Sequence, residues 1–84
     1  MATISEDRVL DVRGQLCPMP VINTAREIRK LEPGQVLKVL GTDRGSIADL
    51  PALAEDTGNE FLSWHEEDDV LVFYLRRGNA SDAE

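Results

Sequence analysis

The residue with the most distinctive chemistry in the sequence is Cys17, which precedes the triplet Pro18-Met19-Pro20. It is the one cysteine in the chain, so neither an internal disulfide nor a cysteine-based zinc site with the usual spacing can form. The C-x-x-C spacing of a thiol-redox pair is also missing, because proline occupies position 20. A lone cysteine is either a small buried apolar side chain or a nucleophile.

The two neighbouring prolines favour the nucleophile. Pro18 is predicted to take the first position of a helix and Pro20 to lie in its first turn, which makes Cys17 the N-cap. The partial positive charge and free N–H groups of a helix start stabilise a thiolate or a persulfide anion, and Arg13 would add a nearby cation. Gly14 provides a hinge in the preceding loop. The residues alone still leave both interpretations of Cys17 open.

Hydrophobic patterns predict the elements that position Cys17. The predicted strands span residues 8–12, 35–40, 59–66 and 70–76. Helix 1 is predicted from residue 18 to a stop at residues 32–34, and helix 2 within residues 46–57. The order βαβαββ and a right-handed crossover place strand 1 beside strand 2, with both helices on one face of the sheet. The nearly continuous apolar run of strand 2 predicts an interior strand.

Both predicted helices carry residues with a predicted role. Helix 1 is predicted to bury the stripe Val21, Ala25 and Ile28. The opposite side forms a basic ridge comprising Met19, Arg26 and Lys30. In an acidic protein this ridge would orient a like-charged partner, although a solvated helix face with cations near its C-terminus remains the alternative. In helix 2, Asp49 is predicted to cap a regular part that begins at Pro51.

Length and charge limit the classes of function. A chain of 84 residues predicts one domain, residues 1–84 with an ordered core of about 8–77, between a polar lead-in and a loose tail. Such a domain is too small to enclose a deep cavity, so chemistry should occur near the surface with a partner protein. The net charge of −7 argues against direct nucleic-acid binding. No apolar stretch is long enough to span a membrane, and no leader pattern is present, which predicts a cytoplasmic protein. We expect a monomer.

The residues from Leu10 to Pro20 resemble the signature of the TusA-type, or SirA-like, sulfurtransferases with their Cys-Pro-x-Pro motif. The likeness continues in Leu31-Glu32-Pro33-Gly34, in the stretch from Thr42 to Pro51, and in Thr57-Gly58. It covers residues 9–76, and the landmarks in register make it specific. Some relatives carry a second cysteine near position 54, and many have Gly-His at positions 58 and 59; this chain has neither.

The resemblance implies an α/β (α+β) two-layer sandwich with a four-stranded mixed sheet of order 1-2-4-3, similar to the C-terminal domain of bacterial translation initiation factor 3. It also implies a sulfur carrier. Cys17 would accept sulfane sulfur as a persulfide from a cysteine desulfurase or a rhodanese. An acceptor protein would receive it in tRNA 2-thiolation, sulfur oxidation or molybdenum cofactor metabolism. No cofactor or metal is implied, and the residues that would support the loop and helix start are Arg13, Gly14, Pro18 and Pro20.

A non-catalytic regulatory module that only docks on another protein is the alternative function. The two differ at Cys17, because a docking module would tolerate Cys17→Ala and a carrier would not.

Overall fold

The computed structural model describes residues 5–78, and six elements follow one another in the order βαβαββ. Their bounds are β1 Arg8–Val12, α1 Met19–Ile28, β2 Val36–Gly41, α2 Ser46–Asp56, β3 Glu60–Glu67 and β4 Val70–Arg76. The predicted order is confirmed, and β1 and β4 have the predicted bounds. Most of the predicted lead-in and tail lies outside the described residues. Asp7, placed in the lead-in, is instead bound to β2, since its N–H donates to the carbonyl of Val36 at 2.8 Å.

The four strands form one sheet in the order β1-β2-β4-β3. β1 and β2 are parallel, whereas β2 with β4 and β3 with β4 are antiparallel. The parallel pair requires a crossover, which α1 supplies. The predicted mixed sheet and the interior position of β2 are therefore confirmed.

Both helices cover the same face of this sheet. Their buried side chains Ile28, Leu50 and Ala54 join one core cluster with strand residues Val12, Leu37, Val39, Leu71, Phe73 and Leu75. Phe73 lies at its centre with no solvent exposure. Burial of a side chain of this size contributes about 1.5–3 kcal/mol. The two-layer α+β sandwich is thus observed, and one sheet face is left without helices.

The buried stripe of α1 differs from the predicted one. Pro20, Thr24 and Ile28 are buried, whereas Val21 and Ala25 are only half-buried. Val21 lies on the side of α1 that lines an open groove toward α2. The row at positions 20, 24 and 28 is the buried one. A hydrophobic count misses this row, since it contains a proline and a threonine.

Helix α1 ends at Ile28, earlier than the Pro33-Gly34 breaker predicts. Arg77 caps this end. Its Nη1 donates to the carbonyls of Arg29 and Leu31, both at 2.9 Å. A guanidinium at this position satisfies carbonyls that lack intrahelical partners and complements the negative end of the helix dipole.

Helix α2 continues through Pro51, and its N-cap is Gly45. The prediction that Asp49 caps a helix starting at Pro51 is therefore wrong. Leu50 and Ala54 are buried in the core on either side of the proline, and this burial outweighs the one hydrogen bond that proline removes. Asp49 instead lies in the first turn of the helix, with its side chain available for another role. Among the described residues, neither helix is long and apolar enough to cross a membrane.

Candidate functional site

Cys17 is exposed in the loop between β1 and α1. It does not cap the helix as predicted, because Pro18 is the N-cap and Met19 the first helical residue. The physical reason is a turn in which the N–H of Met19 donates to the carbonyl of Leu16 at 2.9 Å, so the helix begins only after it. Pro20 lies in the first turn, as predicted. The Cys17–Pro18 peptide bond is cis.

Two hydrogen bonds hold the Cys17 loop against the loop that follows β2. The N–H of Gly14 donates to the Thr42 hydroxyl at 2.9 Å, and the N–H of Cys17 donates to Asp43 Oδ2 at 3.0 Å. Gly14 has a φ of +83°, a backbone conformation that side chains with a Cβ disfavour. The predicted glycine hinge is thus a fixed left-handed turn that directs the loop toward Asp43.

Arg13 is engaged by Asp11 rather than by the thiol. Its Nε and Nη2 donate to the two carboxylate oxygens of Asp11 at 2.9 and 2.8 Å, and its backbone N–H donates to Oδ1 at 3.0 Å. The hydrogen bonds from the Arg13 side chain, followed by that from its N–H, lower the pKa of Asp11 from 3.8 to about 2. The same carboxylate raises the pKa of Arg13. Arg13 therefore braces the end of β1, and a role beyond this stays a prediction.

The charged groups that do contact Cys17 are carboxylates. Asp43 accepts the hydrogen bond from the backbone N–H of Cys17. Asp49 Oδ2 lies 4.0 Å from Sγ and accepts a hydrogen bond from the S–H. Asp49 belongs to the first turn of α2, where the helix dipole favours a negative charge. A carboxylate beside Sγ repels negative charge on an attacking sulfur or on a persulfide. The side chains that the structure brings to Cys17 thus carry negative charge, and the thiolate expected from a helix start stays a prediction.

An open groove of about 310 Å³ runs from Cys17 between the two helices. We call it the acidic groove; its lining comprises Cys17, Pro18, Val21, Asp49, Ala52, Leu53 and Asp56. Apolar side chains form most of it, and among the lining residues that the structure describes the charged side chains are the carboxylates of Asp49 and Asp56. Sequence reasoning missed Asp43, Asp49 and Asp56. The landmark stretch from Thr42 to Pro51 was the signal that could have found the first two.

Exposed apolar side chains lie close to Cys17 in the sequence. Leu16 is 71% exposed, Met19 42% and Ile22 37%. Large apolar side chains grouped at the surface mark contact sites for other molecules. Met19 belongs to the predicted docking surface, whereas Leu16 and Ile22 were not assigned to it.

The rest of the basic ridge is less uniform than the sequence predicts. Arg26 is exposed on α1, but Lys30 lies beyond the end of the helix. Its Nζ is 3.4 Å from Glu27 Oε1, which partly neutralises its charge. Within residues 5–78, no group of three or more histidine, cysteine or acidic side chains is arranged to hold a metal ion.

Comparison with known proteins gives one consistent family. The model of the family described as Sulfurtransferase TusA matches residues 8–77. The putative sulfur carrier protein YrkI of Bacillus subtilis is 39% identical over 89% of this chain and 100% of its own length. The sulfur carrier protein TusA of Allochromatium vinosum is 37% identical over 84% of this chain and 93% of its own.

Other relatives are longer than this chain. The putative sulfur carrier protein YrkF of Bacillus subtilis is 42% identical, and the chain spans 41% of its length.

Among solved structures, the SirA-like protein of Desulfitobacterium hafniense superposes with a TM-score of 0.75 at 31% identity, covering 86% of this chain and 99% of that one. With its Cys-Pro-x-Pro loop, its sheet order and these matches, the chain belongs to the TusA sulfurtransferase family.

Proposed function

We propose that this protein is a sulfur carrier whose Cys17 accepts a sulfane sulfur as a persulfide and relays it to an acceptor protein. The observation that carries the proposal is an exposed, solitary thiol on the family motif loop, at the end of an open groove. A cysteine kept for packing would be buried. The names of the relatives, sulfur carrier proteins, support the same function.

The transfer is a thiol–persulfide exchange that balances without an oxidant. The Cys17 sulfur attacks the terminal sulfur of the donor persulfide, and a new S–S bond forms on Sγ. The S–S bond within the donor breaks, and the donor cysteine leaves as a thiolate that takes up the proton lost by Cys17. Cys17 then carries the persulfide, and the donor is restored to a thiol.

Release to the acceptor follows the same exchange in the other direction. Cys17 is the only cysteine of the chain, so no internal thiol discharges the persulfide. The acceptor thiolate attacks the outer sulfur, and Cys17 leaves. Asp49, 4.0 Å from Sγ, disfavours a persulfide anion that is left without a partner. This arrangement favours transfer within a complex over storage of the sulfur.

The proposed donor is a cysteine desulfurase or a rhodanese, and the proposed acceptor acts in tRNA 2-thiolation, sulfur oxidation or molybdenum cofactor metabolism. The proposal includes one domain over residues 1–84 with its core at about 8–77, acting as a monomer without nucleic-acid or membrane contacts. A cytoplasmic location suits an exposed thiol that must stay reduced.

Docking through the basic ridge stays a prediction. Reversal of charge at Arg26 and Lys30 should slow sulfur transfer from a protein donor at low salt and leave alkylation of Cys17 by a small reagent unchanged. Equal transfer rates for parent and variant would assign the ridge to a solvated helix face.

Mass spectrometry of the intact protein tests the proposed function. After incubation with a persulfidated donor, the parent should gain the mass of one sulfur atom, and reduction should remove it. Cys17→Ser should fold, since the residue is exposed, and should gain nothing. Uptake of labile sulfur by this variant would refute the proposal. Full function of Cys17→Ala in the cell would instead support a docking module.

A further inference from the structure

The α2 side of the acidic groove has a regular arrangement. Asp49, Ala52, Leu53 and Asp56 follow the spacing i, i+3, i+4 and i+7, so they lie along one face of the helix. Asp49, at the start of this face, contacts the thiol, and Asp56 lies about 10 Å farther along at the helical rise per residue. Ala52 and Leu53 form an apolar stretch between the two carboxylates.

We propose that the acidic groove binds a short extended segment of the protein partner that carries the partner's reactive cysteine, an apolar side chain and a lysine or arginine. The separation of about 10 Å between the carboxylates corresponds to about three residues of extended chain. The segment therefore has its cation about three residues from its cysteine. This inference deepens the proposed function and depends on it.

Charge complementarity identifies the occupant as cationic. The groove lining has two carboxylates and no basic side chain. Within the described part of the chain, Asp56 takes part in no ion pair, whereas the arginines at positions 8, 13, 44 and 76 are each paired with an acidic side chain. An incoming persulfide anion would be repelled by these carboxylates, and a cation on the same segment offsets that repulsion.

The apolar part of the occupant follows from the groove walls. Pro18 and Val21 of the Cys17 side lie opposite Ala52 and Leu53 of α2. Leu53 is only partly buried in the free protein, so an apolar side chain seated there removes further apolar surface from water. A purely polar segment would gain nothing at this position.

The same contacts connect docking with reactivity. The S–H of Cys17 donates a hydrogen bond to Asp49 while the groove is empty. The partner's cation, placed at Asp56, offsets part of the negative charge that the groove presents to the partner's sulfur. A segment that carries the cation therefore brings its sulfur to Cys17 against a weaker repulsion than a segment without it.

Activated peptides test the inference directly. Three synthetic peptides carry a cysteine as its mixed disulfide with thionitrobenzoate. The first has leucine next to the cysteine and arginine three residues from it, the second replaces that arginine with glutamate, and the third replaces the leucine with serine. The release of thionitrobenzoate on attack by Cys17 is followed by absorbance. At low salt we expect the first peptide to react about two- to five-fold faster than the second, with the difference shrinking at high salt. We also expect the third to react more slowly than the first.

A matched pair of variants locates the effect. Asp56→Lys changes a groove residue, and Glu55→Lys makes the same change of charge at the adjacent exposed position, outside the groove lining. Asp56→Lys should abolish or invert the preference for the arginine peptide, whereas Glu55→Lys should retain most of it. Thermal unfolding of both variants verifies that they are folded.

Three results would overturn the inference. The first is an equal reaction rate for the three peptides, and the second is an equal effect of the two variants on the peptide preference. The third is concentration-dependent dimerisation that Asp56→Lys abolishes, because dimerisation of this kind would assign the groove to a second copy of the chain. Sulfur uptake by the parent protein from inorganic polysulfide, measured by mass spectrometry, separates this failure from that of the proposed function. If the parent takes up no sulfur, the proposed carrier function is refuted. If it takes up sulfur but shows no peptide preference, only the proposed occupant of the groove is refuted.

Discussion

Replacement of Asp49 by asparagine should increase the reactivity of Cys17. The substitution keeps the shape of the side chain and removes the negative charge that lies 4.0 Å from Sγ. Two unit charges at this distance interact by about 1 kcal/mol in a water-like dielectric, which is the appropriate limit because Cys17 is exposed. Because the attacking sulfur carries negative charge, loss of this repulsion corresponds to roughly a five-fold faster reaction.

The assay is the rate of alkylation by iodoacetamide, a neutral reagent that the groove charges do not attract or repel. We expect about a five-fold faster reaction for Asp49→Asn at low salt and a smaller gain at high salt, where the charge is screened. Asp49→Ala should also react faster, which separates loss of the charge from a new hydrogen bond of the amide. Glu55→Gln is the matched control, since Glu55 is exposed on the same helix outside the groove lining.

An unchanged rate in both Asp49 variants would show that the carboxylate does not govern the thiol. A slower rate in both would contradict the reasoning more strongly, because Asp49 would then activate the thiol as a base.

Three further predictions concern the loop and the core. Arg13→Gln should return the pKa of Asp11 from about 2 toward 3.8 in a carboxyl NMR titration. Because the folded-state pKa is the lower one, the pair stabilises the parent fully above pH 3.8 and loses this contribution as the pH falls toward 2; an unchanged midpoint in the variant would contradict the assignment. Gly14→Ala should destabilise the fold by about 1–2 kcal/mol, because φ is +83° there. Gly45→Ala should cost little, since its φ of −60° suits alanine, and equal melting temperatures for the two variants would refute this. Thr24→Val should stabilise the fold by about 1 kcal/mol in urea unfolding, since among residues 5–78 no partner reaches the buried Thr24 Oγ1; a loss of stability would indicate that the hydroxyl is satisfied.

The architecture could be predicted because its signals are local. Alternating and continuous apolar runs, separated by Pro33-Gly34 and by the acidic turn at Asp68-Asp69, define the strands without knowledge of their partners. The order of elements then restricts the topology. The start of α1 could not be predicted in the same way, because it depends on the turn that the Leu16 carbonyl closes with Met19.

The thiol could be identified from its motif, but its surroundings could not. Asp49 contacts Cys17 across 32 residues of sequence, and no periodic pattern encodes that contact. Arg13 looked like the nearest cation in the sequence, yet the structure pairs it with Asp11. The charges around a residue depend on how the elements assemble, so reasoning from sequence neighbours identified Arg13 and did not identify Asp49.

The central claim is that Cys17 carries a transferable sulfane sulfur, and cyanolysis tests it most directly. Cyanide converts sulfane sulfur to thiocyanate, so protein loaded from a persulfidated donor and freed of that donor should yield one thiocyanate per chain, in keeping with its single cysteine. Cys17→Ser treated in parallel should yield none, and the parent should yield none after it has been mixed with an acceptor thiol and separated from that acceptor. Thiocyanate from the Cys17→Ser protein, or none from the loaded parent before any acceptor is added, would contradict the account.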